Sequence, residues 1–138
     1  ILNFLFRNLF RYQDLGLLFY RLALGGSMMF HGYLKFAGGE QALYNVGHML
    51  AQFGVPCWYL VLGVIAAFGE MVGGALLILG LLTRFGALLV MATLGVATAV
   101  HWSGGFFKWD YPSQMLCGAI MLFIAGPGRF SLDRKLTK

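Results

Sequence analysis

The stretch WYLVLGVIAAFGEMVGGALLILGLL, residues 58–82, contains a single charged side chain, Glu70. A run this long and apolar reads as an α-helix crossing the hydrocarbon core of a bilayer, because a helix satisfies its own backbone polar groups where no water is present. The chain on either side reads the same way. Residues 85–102 follow a tight turn at Leu82-Thr83-Arg84 and carry no formal charge apart from a protonatable His101. Residues 15–36, LGLLFYRLALGGSMMFHGYLKF, would rise roughly 33 Å as a helix, enough to span the same core. The last apolar run, 112–126, is the shortest, and Gly126-Pro127-Gly128 stops it. Adding Phe106 to Tyr111 from the loop SGGFFKWDYP would lengthen it. The expected fold is all-α, an integral membrane four-helix transmembrane bundle over residues 15–138.

Two further segments are amphipathic. In LNFLFRNLFRYQD, residues 2–14, Asn3, Arg7, Arg11 and Asp14 recur on one side and apolar residues cover the rest. That pattern predicts an N-terminal interfacial helix over 1–14, its arginines toward anionic head groups. Between Gly38-Gly39 and Gly54, Leu43, Val46, Leu50 and Phe53 fall at spacings of three, four and three, which predicts a short interfacial helix. Ile1 stands where an initiating methionine would, so a short leader is expected ahead of it. The first apolar stretch is long, contains Arg21 and lacks a small-residue cleavage pattern, so it does not read as a signal peptide.

Composition agrees with a bilayer. Apolar residues make up 59% of the 138 and charged residues only 11%, against about 25% in an ordinary soluble domain. The 20 glycines suit close helix contacts, and they follow no collagen period. The net charge of +5 comes from residues at the chain ends and in short loops, so it points to membrane topology and away from nucleic acid. Four spans put Arg7, Arg11, Arg84, Arg129, Arg134, Lys135 and Lys138 on one side, against Lys35 and Lys108 on the other. This bias predicts both termini in the cytoplasm. Trp58, Tyr59, Trp102, Trp109 and Tyr111 then gather at the outer boundary, with Tyr12 and Tyr20 at the inner one.

Polar groups inside apolar spans are costly, so they mark candidate sites. Arg21 lies about 9 Å from the inner end of its span and Glu70 roughly 18 Å from the inner end of the next. An Arg21–Glu70 ion pair would let both stay charged. Such a pair serves either a proton or quinone head-group site at Glu70, or helix register alone. His31 and His101 each lie about 24 Å from the inner end, and Lys35 is one turn beyond His31. If their helices approach, His31, Lys35 and His101 line one outer cavity. Two imidazoles there could hydrogen-bond a ligand or shuttle protons, bind heme or another metal, or serve structure only. Gly69 and Gly73, with Gly63, Ala67 and Gly74, place small residues around Glu70 and predict that it faces into the bundle. His48, with no partner in the local sequence, reads as solvated or interfacial. Cys57 and Cys117 form neither a CxxC pair nor a zinc spacing. Both fall toward the outer side, where a disulfide or thiol relay competes with a role as small apolar residues.

The stretches RLALGGSMMFHGYLKF at 21–36, GEMVGGALLILGLLTR at 69–84 and GPGRFSLD at 126–133 resemble the DoxX family of small bacterial membrane proteins. The resemblance runs from Arg21 nearly to the end of the chain. It implies a four-helix bundle in a bacterial inner membrane and singles out Arg21, His31, Lys35, Glu70, Arg84, Ser131 and Asp133. Some relatives are subunits of quinone-reducing thiosulfate oxidoreductases, and others are linked to thiol or oxidative-stress handling. This chain has no CxxC thiol pair and no nucleotide motif. The expected role is therefore an accessory subunit of a membrane redox or respiratory assembly, with a quinone or lipid site and no independent catalysis. Its ligand-binding candidates are Arg21, His31, Lys35, Glu70 and His101, with Glu70 and His31 as proton sites. Membrane lipids and other membrane subunits are the expected partners. The competing expectations are a quinone-linked oxidoreductase in its own right, with His101 on the head group, and an assembly-factor bundle without redox chemistry.

Overall fold

The computed structural model describes residues 9–137. Helix α1 runs Gln13–Ala37, α2 Gly39–His48, α3 Tyr59–Leu79, α4 Thr83–His101, α5 Phe106–Ala125 and α6 Leu132–Leu136. Short 3₁₀ turns at Phe10–Tyr12, Met49–Phe53 and Trp102–Gly104 link or extend them. No strand occurs among the described residues, and the chain is all-helical. Most of the expected interfacial helix over 1–14 lies outside the described residues. Within them, Phe10–Tyr12 form one 3₁₀ turn, and the first long helix already begins at Gln13.

The four long helices alternate in direction, and their order around the bundle is α1, α3, α4, α5. The closest packing is between α1 and α3, and the seam between α1 and α5 is the loosest. Glycine explains the first contact. A Cβ at Gly25 would come 2.7 Å from the Gly74 carbonyl oxygen, and one at Gly74 would come 2.5 Å from that of Gly25. The two backbones touch because neither residue has a side chain. The small residues of α3 serve different neighbours. Gly74 and Ala67 meet α1, Gly63 meets α2, and Gly69 and Gly73 meet α4. Leu24, Met28, Leu77, Val90, Ala119 and Leu122 fill the centre.

The predicted short helix exists as α2 and lies across the first half of α3. A Cβ at Gly63 would overlap the Leu43 carbonyl, and one at Gly47 would overlap the Tyr59 carbonyl. Gly63→Val is expected to force α2 off α3 at a cost of about 3 kcal/mol. Thermal unfolding in detergent would measure the loss, and an unchanged midpoint would contradict the contact.

One boundary differs from the expectation. The segment read as the loop SGGFFKWDYP is helical from Phe106 onward, and Pro112 sits inside α5. Side chains steady this first part: Ser113 Oγ donates to the Asp110 carbonyl at 2.7 Å, and Gln114 Nε2 donates to the Asp110 carboxylate at 2.9 Å.

Much of the outside of the bundle is apolar. Phe19 and Ile124 are 75% and 71% exposed, and Phe30, Ile65 and Phe68 also face outward. Such a surface is unfavourable in water and favourable in lipid. Tyr59–Leu79 and the run Thr83–Gly104 are long and apolar enough to cross a membrane, with mean hydropathies of 2.1 and 1.6. Helices α1 and α5 match them in length and carry more charge, Asp14, Arg21 and Lys35 in the one and Lys108 and Asp110 in the other.

Candidate functional site

Glu70 stands midway along α3, buried, on the side where the glycine contacts draw the helices together. Its partner is Lys35, not Arg21. The Lys35 ammonium meets Glu70 Oε1 at 2.5 Å. The expected Arg21–Glu70 pair does not form. The reason lies in the direction of side chains on a helix, whose Cα–Cβ bonds tilt toward the N-terminus. On α1, Lys35 therefore leans back into the bundle and Arg21 leans out of it. On the antiparallel α3, Glu70 leans toward the Lys35 end. Depth counted from Cα positions alone misses this.

Two cavities flank the pair. The larger, about 400 Å³, lies between α2, α3 and α4. Leu62, Ile65, Val96 and Val100 are among its apolar lining, and Lys35, Glu70, Thr93 and His101 are its polar side chains. The smaller, about 230 Å³, lies between α1, α4 and α5 and is lined by His31, Lys35, Glu70, His101, Lys108 and Tyr111 along with apolar side chains. The structure thus gathers four of the five sequence candidates, His31, Lys35, Glu70 and His101, around one place. On α1, Met28, His31 and Lys35 fall at i, i+3 and i+7, and on α4, Thr93, Ala97 and His101 fall at i, i+4 and i+8. Each set is one helix face.

Hydrogen bonding decides what the groups can still do. Glu70 Oε2 is buried without a hydrogen-bond partner, so the site keeps one open acceptor. His101 Nδ1 lies 2.8 Å from the Ala97 carbonyl oxygen. A carbonyl only accepts, so Nδ1 carries the proton, and in the neutral ring Nε2 is left as acceptor. Thr93 Oγ1 donates to the Val90 carbonyl at 3.0 Å and retains its acceptor capacity. His31 is exposed at the mouth of the smaller cavity, its ring 6.3 Å from that of Tyr111. His31 and His101 share that cavity. Among the described residues, no group of three or more His, Cys, Asp or Glu side chains gathers as a metal set.

Sequence reasoning missed Lys108 and Tyr111. Once α5 is continued through Pro112, Lys108, Tyr111 and Met115 fall at i, i+3 and i+7, the same signal that marked α1. His48 was read as partnerless, yet it lies in an aromatic cluster. Its ring is 5.8 Å from Tyr44 and 4.8 Å from Tyr59, which lies far along the chain. Cys57 and Cys117 are both free and exposed, and neither lines the two cavities.

Arg21 works at the opposite end of the bundle. Its guanidinium, fully buried, donates to the Pro127 carbonyl and, at 2.6 Å, to the Phe130 carbonyl. The segment 126–133 is thereby folded back across that end as a clasp. Asp14 accepts from the Arg129 backbone N–H at 2.8 Å, and Arg84 Nε donates to the Phe123 carbonyl at 3.1 Å. Ser131 Oγ caps α6 by accepting from the Arg134 N–H. Asp133 accepts from the N–H groups of Leu82 and Thr83 at 2.6 and 2.9 Å, so it caps α4 and holds Leu82 at φ 45. That conformation is costly for a residue with a branched side chain. Four of the polar positions singled out by the resemblance, Arg21, Arg84, Ser131 and Asp133, therefore belong to a structural closure, and the other three to the cavities.

Burial pushes the Asp133 carboxyl up, but the Thr83 and Leu82 N–H groups and the Arg21 charge outweigh it, and the group titrates below the usual aspartate range. A folded-state value below the unfolded one adds stability above about pH 4 and loses it as pH falls through the folded value. Unfolding of the wild type is expected to become easier as pH falls below about 4, with a shallower dependence in Asp133→Asn. Midpoints recorded across that range would check it, and identical slopes would contradict it.

A family profile for DoxX matches residues 16–102, more than half of the chain and including Arg21, His31, Lys35, Glu70, Arg84 and His101. The clasp motif 126–133 lies beyond the matched span. Comparison with curated proteins and with solved structures returned no match. The matched segment, the apolar exterior and the helical bundle agree, and the chain belongs to the DoxX family as a small membrane protein of that type.

Proposed function

We propose that this protein crosses a bacterial inner membrane four times, with both termini in the cytoplasm. In that membrane it binds an amphipathic, lipid-soluble ligand of the quinone class as an accessory subunit of a redox assembly. The observation that carries the reading is a mostly apolar cavity that reaches the Lys35–Glu70 pair, whose buried carboxylate has one oxygen without a partner. A ligand site of this kind is mostly apolar, with few polar groups that fix orientation.

The polar side chains of the cavity suit a head group that exchanges protons. Lys35 can donate to a ring carbonyl. Glu70 Oε2 and His101 Nε2 can each accept from a ring hydroxyl, and either can hold the proton that a quinol gives up. The accessory role rests on the sequence, which carries neither a CxxC pair nor a nucleotide motif.

The test is calorimetric titration of the detergent-purified protein with a long-chain quinol and its quinone. Glu70→Gln keeps the shape and removes the charge, and it is expected to weaken quinol binding by roughly 10- to 100-fold. No binding, or equal binding by wild type and variant, would overturn the ligand reading. Isolation in mild detergent tests the accessory role separately, and a lone chain with neither partner nor quinone would overturn it.

A further inference from the structure

The Lys35–Glu70 pair lines both cavities, and the smaller has the larger share of polar side chains and the lesser volume for an apolar body. We infer that the smaller cavity is an aqueous vestibule through which Glu70 exchanges its proton with water at the end of the bundle away from the clasp. The larger cavity is then the ligand's own, served from the lipid. The inference rests on the proton-binding role of Glu70 proposed above.

Three observations carry it. First, polar side chains continue from the pair to the surface through the smaller cavity, since His31, Lys108 and Tyr111 line it and are exposed. No ion pair holds Lys108 among the described residues, and a lone ammonium requires water. Lys108 is the third residue of α5 and His101 the last of α4, which puts the mouth at the end of the helices. Second, Glu70 Oε2 is buried and unpartnered. Water in a cavity of this size with these polar side chains would satisfy it, because each water needs about 30 Å³ and two or more polar partners. Third, His101 lines both cavities with Nδ1 held by the Ala97 carbonyl. The proton it takes up at Nε2 it must return from Nε2, so it can relay between Glu70 and vestibule water without breaking its backbone bond.

The titratable groups facing Glu70 are His31 and Lys35 from α1, His101 from α4, and Lys108 and Tyr111 from α5. Helix α2 contributes Val46 and Gly47 to the larger cavity and no titratable group. Every proton-carrying neighbour of Glu70 except Lys35 and His101, which line both cavities, lies on the vestibule side.

The experiment uses the full chain in nanodiscs, both faces open to buffer, with Cys57→Ser and Cys117→Ser as background. Single cysteines are placed in the vestibule by Met115→Cys and in the ligand cavity by Ala66→Cys, with Tyr111→Cys in reserve should Met115→Cys lose the wild-type unfolding midpoint. A charged methanethiosulfonate is expected to modify the vestibule cysteine at least about tenfold faster, while a lipid-soluble maleimide modifies both. The Glu70 carboxyl band, identified by its absence in Glu70→Gln, is then followed by infrared spectroscopy after a pH jump. A block at 115 is expected to slow its protonation about tenfold, and a block at 66 to leave it unchanged. Equal modification of the two sites, or a rate insensitive to the block at 115, overturns the vestibule and leaves the ligand site standing. A Glu70 band that does not respond to the pH jump at all overturns both, because then no proton is exchanged there.

Discussion

Lys35→Met is expected to destabilise the folded protein by about 3 kcal/mol, more than any other single change at the site. The substitution keeps the length of the side chain and removes the one cation that, among the described residues, is paired with Glu70. The carboxylate would then sit with both oxygens unpartnered in a place where its side chain is only 7% exposed. The penalty falls at the lower end for a broken buried pair, because the Lys35 side chain is itself 24% exposed and part of its interaction is screened. The double variant Lys35→Met/Glu70→Leu removes both charges and should recover most of the loss. It should also abolish ligand binding, which the stability measurement alone would not reveal. Unfolding of the four proteins in one detergent gives the coupling energy of the pair. Additive effects of the two single changes would show that they do not interact.

Arg21→Met is expected to cost a similar amount, about 3 kcal/mol, by a different route. Two charge-assisted bonds are lost, and the Pro127 and Phe130 carbonyls go without their donor. The damage should be local to the clasp. Amide exchange should rise across residues 126–136 and at Leu82 and Thr83, whose N–H groups depend on Asp133. Quinol affinity should change little, since Arg21 lines neither cavity. Arg21→Lys should restore part of the stability, as one ammonium cannot reproduce the two-pronged donation. Exchange protection that survives in 126–136 alongside lost ligand affinity would reverse the assignment and make Arg21 a site residue.

Much of this was legible in the sequence, and the reasons are specific. Runs of apolar residues gave the four long helices, and glycine spacing gave the inward face of Glu70. Equal depth and helical spacing brought His31, Lys35 and His101 to one cavity. The partner of Glu70 was not legible, because Cα depth carries no information on which way a long side chain leans. Nor was the start of α5. The stretch SGGFFKWDYP reads as a loop whose Phe106–Tyr111 would lengthen the run if helical, and the helix does pass through Pro112, with Asp110 engaged by Ser113 and Gln114. That one boundary hid Lys108 and Tyr111, hence the whole α5 wall of the vestibule. Of the two aromatic contacts of His48, the one with Tyr44 lies one turn back on the same helix, and the one with Tyr59 depends on α2 folding back onto α3.

The clasp sets an order of events during synthesis. Arg21 bonds to carbonyls 106 and 109 residues further along. As the first helix leaves the ribosome, its guanidinium has none of its final acceptors, and it must stay hydrated or borrow lipid phosphate. It can be buried for good only after all four long helices and residues 126–133 have emerged. Translation stalled before that point would leave a cation unsettled near the membrane surface, a mark that the cell's quality control could read to tell an unfinished copy from a finished one.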